Sequence, residues 1–323
     1  MKKKSIHSVL FILALFAASL GACAPKNGSV VVKIGTQPWI GYGPWWIAKE
    51  EGLFEKHNIS VELVDFVEDK EVNPAFASGD MQAANLATHT AIKLYAAGLD
   101  MKLVLLEDAS YQADAVIAPH SVTSIANLKG KKVAYEEGAT SDLLINYALA
   151  QNGMSLKDIT PVFMPASDAG PALIAGQVNA AVTYEPYITT ALGGGDGDLH
   201  LLYTAAERPG LISDVFVVSG AFAKAHPDTV KALVQIWGEA LAYYNSNPED
   251  AKAIIANAVG SSPADLQAAF DGVKFYDVAA NQKELAGGAF MDTLKDVADT
   301  AKSIGLLESI PDLNGLVDAS YLK

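Results

Sequence analysis

Aromatic rings and carboxylates recur together in this chain, at places where glycine or proline bends the backbone. Trp39 and Tyr42 stand in Trp39-Ile40-Gly41-Tyr42-Gly43, with Trp45 just beyond Pro44. Tyr184, Glu185 and Tyr187 gather around Pro186, while Asp114 and Asp214 lie where polar stretches give way to apolar ones. An aromatic face attracts a cation through its quadrupole and a carboxylate does so by charge, so the combination suits an ammonium or guanidinium group. An oxyanion instead wants a bidentate arginine or free backbone N–H groups. Arg208 is the only arginine in the chain. Besides it, the helix starts expected at Pro44 and Thr140 offer N–H groups to an anion. The residue types therefore lean to a ligand with a positive group, either a cation or a zwitterion.

Groups for covalent or metal chemistry are sparse. Cys23 is the single cysteine, and His57, His89, His120, His200 and His226 stand far apart in sequence, without zinc spacing. No Gly-x-Ser-x-Gly elbow, phosphate loop or Gly-x-Gly-x-x-Gly fingerprint occurs, and Gly193 to Gly197 reads as a loop. Paired carboxylates remain as possible acid and base, since acids are abundant. The expectation is a binder that is not an enzyme, with no cofactor and no metal.

The elements that must position these residues alternate. Val30 to Gly35 reads as a strand, Trp45 to Glu51 as a short helix after Pro44, and Ser60 to Phe66 as a second strand. A helix starting at Pro74 and stopped by Gly79 leads to a strand at Gln82 to Leu86. Thr90 is expected to cap the next helix, and Lys102 to Leu106 is again a strand. After Ala115 the order repeats, with strands at Lys132 to Tyr135, Ile159 to Phe163 and Ala180 to Thr183, and helices at Ser141 to Gln151 and Pro171 to Ala175. Residues 74–84 align without gaps to residues 171–181, an offset of 97. Duplication gives this pattern, as does any amphipathic helix that turns through glycine into a buried strand, and both yield the same architecture.

Strands alternating with helices make an α/β fold with parallel sheets, here in two similar lobes. Open parallel sheets bind ligands beyond the carboxyl ends of their strands. The cleft should therefore be lined by residues 37–45, 88–90, 136–142 and 184–187, and by the crossings between lobes, placed at 108–118 and 212–218. The offset carries Thr88 onto Glu185, so the two are expected to face each other. The candidate ligand-binding residues are Trp39, Tyr42, Trp45, Thr88, Asp114, Thr140, Tyr184, Glu185 and Asp214. Trp46 instead shares a helical face with Ile47, Leu53 and Phe54 and reads as core. Pro227 to Asn245 is a long helix, and the helical tail, with a start near Ser262 and Pro263, should pack on the first lobe.

The ends of the chain bear on location. Lys2, Lys3 and Lys4 precede an apolar run from Val9 to Leu20 that ends in small residues, the pattern of an export leader over residues 1–22. That run falls short of the roughly 20 residues needed to cross a bilayer. Leu20-Gly21-Ala22-Cys23 resembles a bacterial lipobox, which implies a lipid on Cys23 and a tethered linker over residues 23–29. Loss of the leader takes the formal charge from −14 to −17. So acidic a body repels nucleic acid and anionic lipid, which leaves the anchor as the only expected link to a membrane. With no second cysteine there is no disulfide scaffold, and the fold must rest on its apolar core.

Several blocks carry a resemblance. Gly35 to Trp39, Trp45 to Phe54, Ala113 to Val116, Leu128 to Ala134 and Gly176 to Tyr187 are similar to the nitrate, sulfonate, taurine and pyrimidine-precursor binding proteins of ABC importers. The resemblance runs from about Val30 to Asn247. It implies a periplasmic-binding fold of type II with two hinge crossings, a membrane permease and a cytoplasmic ATPase as partners, and a monomer outside the cytoplasm. On that fold residues 30–113 with 217–323 would form the first lobe and 114–216 the second. Together with the positive-group reading, the resemblance implies an amine-bearing cation or a zwitterion of the taurine type; alternatives within it are a sulfonate or nitrate anion, a thiamine-precursor pyrimidine, or an enzyme on the same fold. Fungal pyrimidine synthases share that fold but carry a cysteine-rich motif absent here.

Overall fold

The computed structural model describes residues 31–323; the expected leader, the lipid site at Cys23 and the linker lie outside the described residues. Strand β1 (Val31–Thr36) leads through a buried 3-10 turn at Ile40–Tyr42 into α1 (Gly43–Glu50), α2 (Leu53–Lys56) and β2 (Ser60–Asp65). Then come α3 (Asp69–Ala77), β3 (Ala83–Ala87), α4 (Thr88–Ala96) and the long β4 (Met101–Ser110). The second set is β5 (Asp114–Pro119), β6 (Lys132–Tyr135), α5 (Thr140–Gln151), β7 (Thr160–Phe163), α6 (Ala166–Ile174), β8 (Ala180–Tyr184), α7 (Tyr187–Gly194) and β9 (Leu199–Thr204). The chain returns through β10 (Ser213–Ser219) and ends in α8 (Gly220–Ala225), α9 (Pro227–Ser246), α10 (Pro248–Ala258), α11 (Gln267–Asp271), β11 (Val273–Phe275), α12 (Val278–Asn281) and α13 (Ala289–Ser303).

Two sheets result, ordered β11-β4-β10-β3-β1-β2 and β7-β6-β8-β5-β9. Both are mixed, and the reason is the crossing. Strands β1, β2 and β3 run parallel, as do β6, β7 and β8, because helices return the chain between them. Strands β10 and β5 come from the opposite sheet, so each inserts antiparallel beside β3 or β8. The chain crosses outward through residues 111–113 and back through 205–212, shorter and differently placed than expected, because β4, β5 and β10 extend into the polar stretches. The crossings are bonded to each other, Ala206 N–H to Tyr111 O at 2.6 Å, and Tyr111 N–H reaches Gly272 O of the tail at 2.8 Å.

The internal offset survives in three dimensions. Helices α3 and α6 begin and end 97 residues apart, as do β3 and β8. In both helices a proline lies inside and does not open the helix, contrary to the expectation from Pro74 and Pro171. In α3 the start is fixed earlier by a capping box between Glu68 and Glu71, which satisfies N–H groups of the first turn and outranks the proline signal. Helix α4 likewise starts at Thr88, two residues before the expected cap. At Ser262 the hydroxyl accepts the Asp265 N–H at 3.2 Å, a local turn that delays α11 to Gln267.

One apolar core lies about the first sheet and two flank the second. The tail packs mainly on the first, through Leu266, Phe270, Phe290, Leu294 and Val297, and touches one of the others through Ile304 and Leu306. At its centre Trp45 meets Phe216 at 4.7 Å and Trp237 of α9 at 5.3 Å between ring centroids. The Trp237 indole N–H donates to Tyr276 O at 2.9 Å, so burial leaves no polar cost. Trp237→Ala is expected to lower the unfolding free energy by about 3–5 kcal/mol in urea titrations. Val67→Ala, at an exposed site, should change it by about 0.5 kcal/mol or less.

Candidate functional site

The sheets meet at the carboxyl ends of their parallel strands, and a cavity of about 20 Å³ opens there. Gln37 reaches it from the end of β1, Trp39 and Tyr42 from the following turn, and Thr140 from the first turn of α5. Tyr184 ends β8, and Asp114 and Asp214 lie at the start of the crossing strands β5 and β10. Six of the nine candidates thus surround one space. Trp39 and Tyr184 touch across it edge to face, with centroids 5.9 Å apart, so an aromatic contact joins the halves.

Asp114 and Asp214 hold matching positions in the two halves. Asp214 stands opposite Ala87 and Asp114 opposite Tyr184, and those two partners are themselves 97 residues apart. Two further acids lie behind. Asp108 faces Asp214 across the β4–β10 ladder, and Glu107 precedes it; both are fully buried. Aromatic donors hold the group together. Trp39 Nε1–H donates to Asp108 Oδ2 at 3.2 Å, Tyr42 OH to Asp214 Oδ1 at 2.9 Å, and Trp45 Nε1–H to Glu107 Oε1 at 2.7 Å. The first of these explains Gly41. A Cβ there would lie 2.1 Å from Trp39 Nε1 and 2.2 Å from Asp108 Oδ2, so only glycine leaves the bond room.

Burial pushes all four carboxyls upward, since a charge loses its water there. Glu107, Asp108 and Asp214 lie well above the carboxylate range, and each is raised further by a neighbouring acid. Asp108 and Asp214 face each other across the β4–β10 ladder, and each disfavours ionisation of the other. Asp114 is pushed up to about 7 by burial, with the neighbouring Ser110 and Thr140 hydroxyls acting in the opposite sense. No lysine or arginine lines the cavity among the described residues. Arg208, on which arginine recognition of an anion would depend, donates from Nη2 to both carboxylate oxygens of Asp296 of α13. The start of α5 is also engaged, for Thr140 bonds Asp114 and Asp142 accepts the Gly138 N–H at 2.9 Å.

Three candidates lie outside the lining. Trp45 is sealed in the core and reaches the site through Glu107. Thr88 Oγ1 bonds Ser213 Oγ at 2.7 Å, beside Asp214. Glu185 turns to α7, accepting the Thr189 N–H and hydroxyl, both at 3.0 Å, so it does not face Thr88 across the gap as expected. Sequence reading missed Gln37, Glu107 and Asp108 as individual site residues. Gln37 lay within an expected lining segment, and its buried Oε1 finds no protein donor. Two consecutive acids after the apolar run Leu103 to Leu106 were the available signal for the others.

The elevated Asp114 sets the sign of a pH effect. Its folded value lies above the ordinary 3.8, so the folded chain keeps a proton that the unfolded chain gives up. The associated stability is complete below the ordinary value and is lost as pH rises toward about 7. Calorimetry of the solute-free protein should give a higher Tm at pH 5 than at pH 7.5. Asp114→Asn should narrow that difference.

A family model described as NMT1/THI5 like matches residues 39–251. A putative aliphatic sulfonates-binding protein of Escherichia coli is 26% identical over 255 residues, covering 78% of each chain. A putative binding protein of Brucella abortus is 27% identical over 276 residues, which are 85% of this chain and 86% of that one. Among solved structures, the periplasmic aliphatic sulphonate binding protein SsuA from E. coli superposes with a TM-score of 0.72 at 21% identity, covering 88% of this chain and 91% of its own. At that identity the likeness speaks for the fold. With the family model spanning most of the chain, the protein belongs to the NMT1/THI5-like family and has the two-lobed α/β fold of the periplasmic binding proteins.

Proposed function

We propose that this chain captures a small solute outside the cytoplasm, delivers it to an ABC permease and its ATPase, and selects a solute with a positively charged group. One observation carries the charge assignment. The cavity combines Asp114 and Asp214 with the rings of Trp39, Tyr42 and Tyr184, while no lysine or arginine lines it among the described residues. An ammonium or amidinium entering it would restore ionisation to acids that burial otherwise keeps protonated, and its N–H groups would meet acceptors. Binding-protein function is supported by the family and by the relatives named above. The same names favour a sulfonate anion as the second reading, and a zwitterion such as taurine satisfies both. The lining comes from both halves, so binding involves opening of the halves and closure around the solute.

Anchoring through Cys23 and a monomeric state complete the reading, the first supported by Leu20-Gly21-Ala22-Cys23. Metabolic labelling with palmitate is expected to mark the wild-type chain, and Cys23→Ser should abolish the label and release the protein from membranes. Native mass spectrometry of the protein as purified should reveal a small molecule bearing an amine or amidine, released unchanged. Asp214→Asn should weaken its binding in calorimetry by about tenfold or more, which is about 1.4 kcal/mol. A bound nitrate or amine-free sulfonate, held equally well by Asp214→Asn, would overturn the charge assignment.

A further inference from the structure

Asp114 and Asp214 come from different halves of the molecule and line the same small cavity. Each stands where a crossing strand joins its sheet, so movement at the crossings moves one carboxyl against the other. We infer that this pair is a charge gate on closure: two carboxylates hold the halves apart, and a cation or proton between them permits closing. The inference rests on the reading of the chain as a protein that closes around its solute. It goes further in making charge a condition of closure, so a neutral molecule of fitting shape would be rejected even where its contacts are good.

The surroundings leave the pair without internal compensation. From β4 come Glu107 and Asp108, two more acids raised by burial rather than a cation, and the neutral Ser110 hydroxyl beside Asp114. The turn before α1 supplies the Tyr42 hydroxyl to Asp214. From β8 and α7 come Tyr184 and Glu185, the latter a further like charge on Asp114, and α5 supplies Thr140. Beside β3, the first turn of α4 holds Thr88 and a buried His89 whose pKa is lowered to about 4 by burial, so it is neutral at physiological pH. The cations of neighbouring elements are directed elsewhere. Lys93 of α4 acts on Asp142, and Lys274 of β11 sits over the Tyr276 ring at 4.5 Å from its centroid. In the closed arrangement Asp114 retains its proton up to about pH 7, whereas a solvated carboxyl loses it near 3.8. Closing takes up a proton, and acid favours it.

Hydrogen–deuterium exchange of the purified full chain, dialysed free of solute, tests the gate without any ligand. At pH 7.5 Asp114→Asn removes one charge while keeping the shape. Amides of residues 37–45 and 184–189 should then exchange at least about tenfold more slowly than in wild type, the factor that one pKa unit represents. Asp214→Asn should do the same, and α9 serves as an unaffected internal standard. At pH 5.5, with rates corrected for intrinsic exchange, wild type should approach the protection of the variants. Equal protection of wild type and both variants at pH 7.5, or a wild type insensitive to pH in these segments, would overturn the gate. Because solute plays no part, that result is separate from failure of the charge assignment, which the calorimetry decides. Should one variant fail to fold, the other and the wild-type comparison between the two pH values each remain decisive.

Discussion

Withdrawing a carboxylate from water costs several kcal/mol unless donors, a cation or a proton replace the lost solvent. Glu107, Asp108, Asp114 and Asp214 are withdrawn together, and much of the surrounding structure answers that cost. Three aromatic side chains spend their only polar hydrogens on these acids. Gly41 gives up a side chain so that one of those bonds can form. Helix α9 supports Trp45, and Trp45 fixes Glu107, so a tail element far along the chain sets the depth of the acid group. Donors from neutral groups lessen the penalty without cancelling charge, which leaves protonation or a positive guest to complete the balance.

Topology decides where that balance is struck. In each half three parallel strands are flanked by one antiparallel strand arriving from the other half. An acid at the start of that strand necessarily sits at the junction of sheet and crossing. The equivalence of Asp114 and Asp214 is thus a property of the repeated fold, as is the shared boundary pattern of α3 with α6 and of β3 with β8. The tail breaks the symmetry. Strand β11 pairs with β4 beside the outward crossing and Arg208 ties the return crossing to α13, while only Ile304 and Leu306 of the tail reach a core of the second half among the described residues.

Much of this was legible in the residues. Alternating apolar runs gave the order of strands and helices, and the offset between residues 74–84 and 171–181 anticipated equivalent elements. Pro74 misled, because its preference for the first turn is weaker than a capping box placed earlier. At the cavity, rings near glycine or proline and acids at polar-to-apolar transitions marked six of the lining residues. Glu107 and Asp108 escaped because acids at the end of an apolar strand normally reach solvent; only the addition of β10 and β11 on either side of β4 buries them. Glu185 escaped in the other sense, since whether a carboxylate faces a gap or its own helix depends on the local path of the chain.

The four tryptophans, Trp39, Trp45, Trp46 and Trp237, are all buried, and all belong to the core about the first sheet. Only Trp39 borders the cavity, with its N–H on a carboxyl and its edge against a tyrosine of the opposite half. The molecule therefore carries its own optical reporter: one indole at the cavity, whose emission is exposed to changes in nearby charge, read against Trp237, whose N–H is spent on a backbone carbonyl away from the acids.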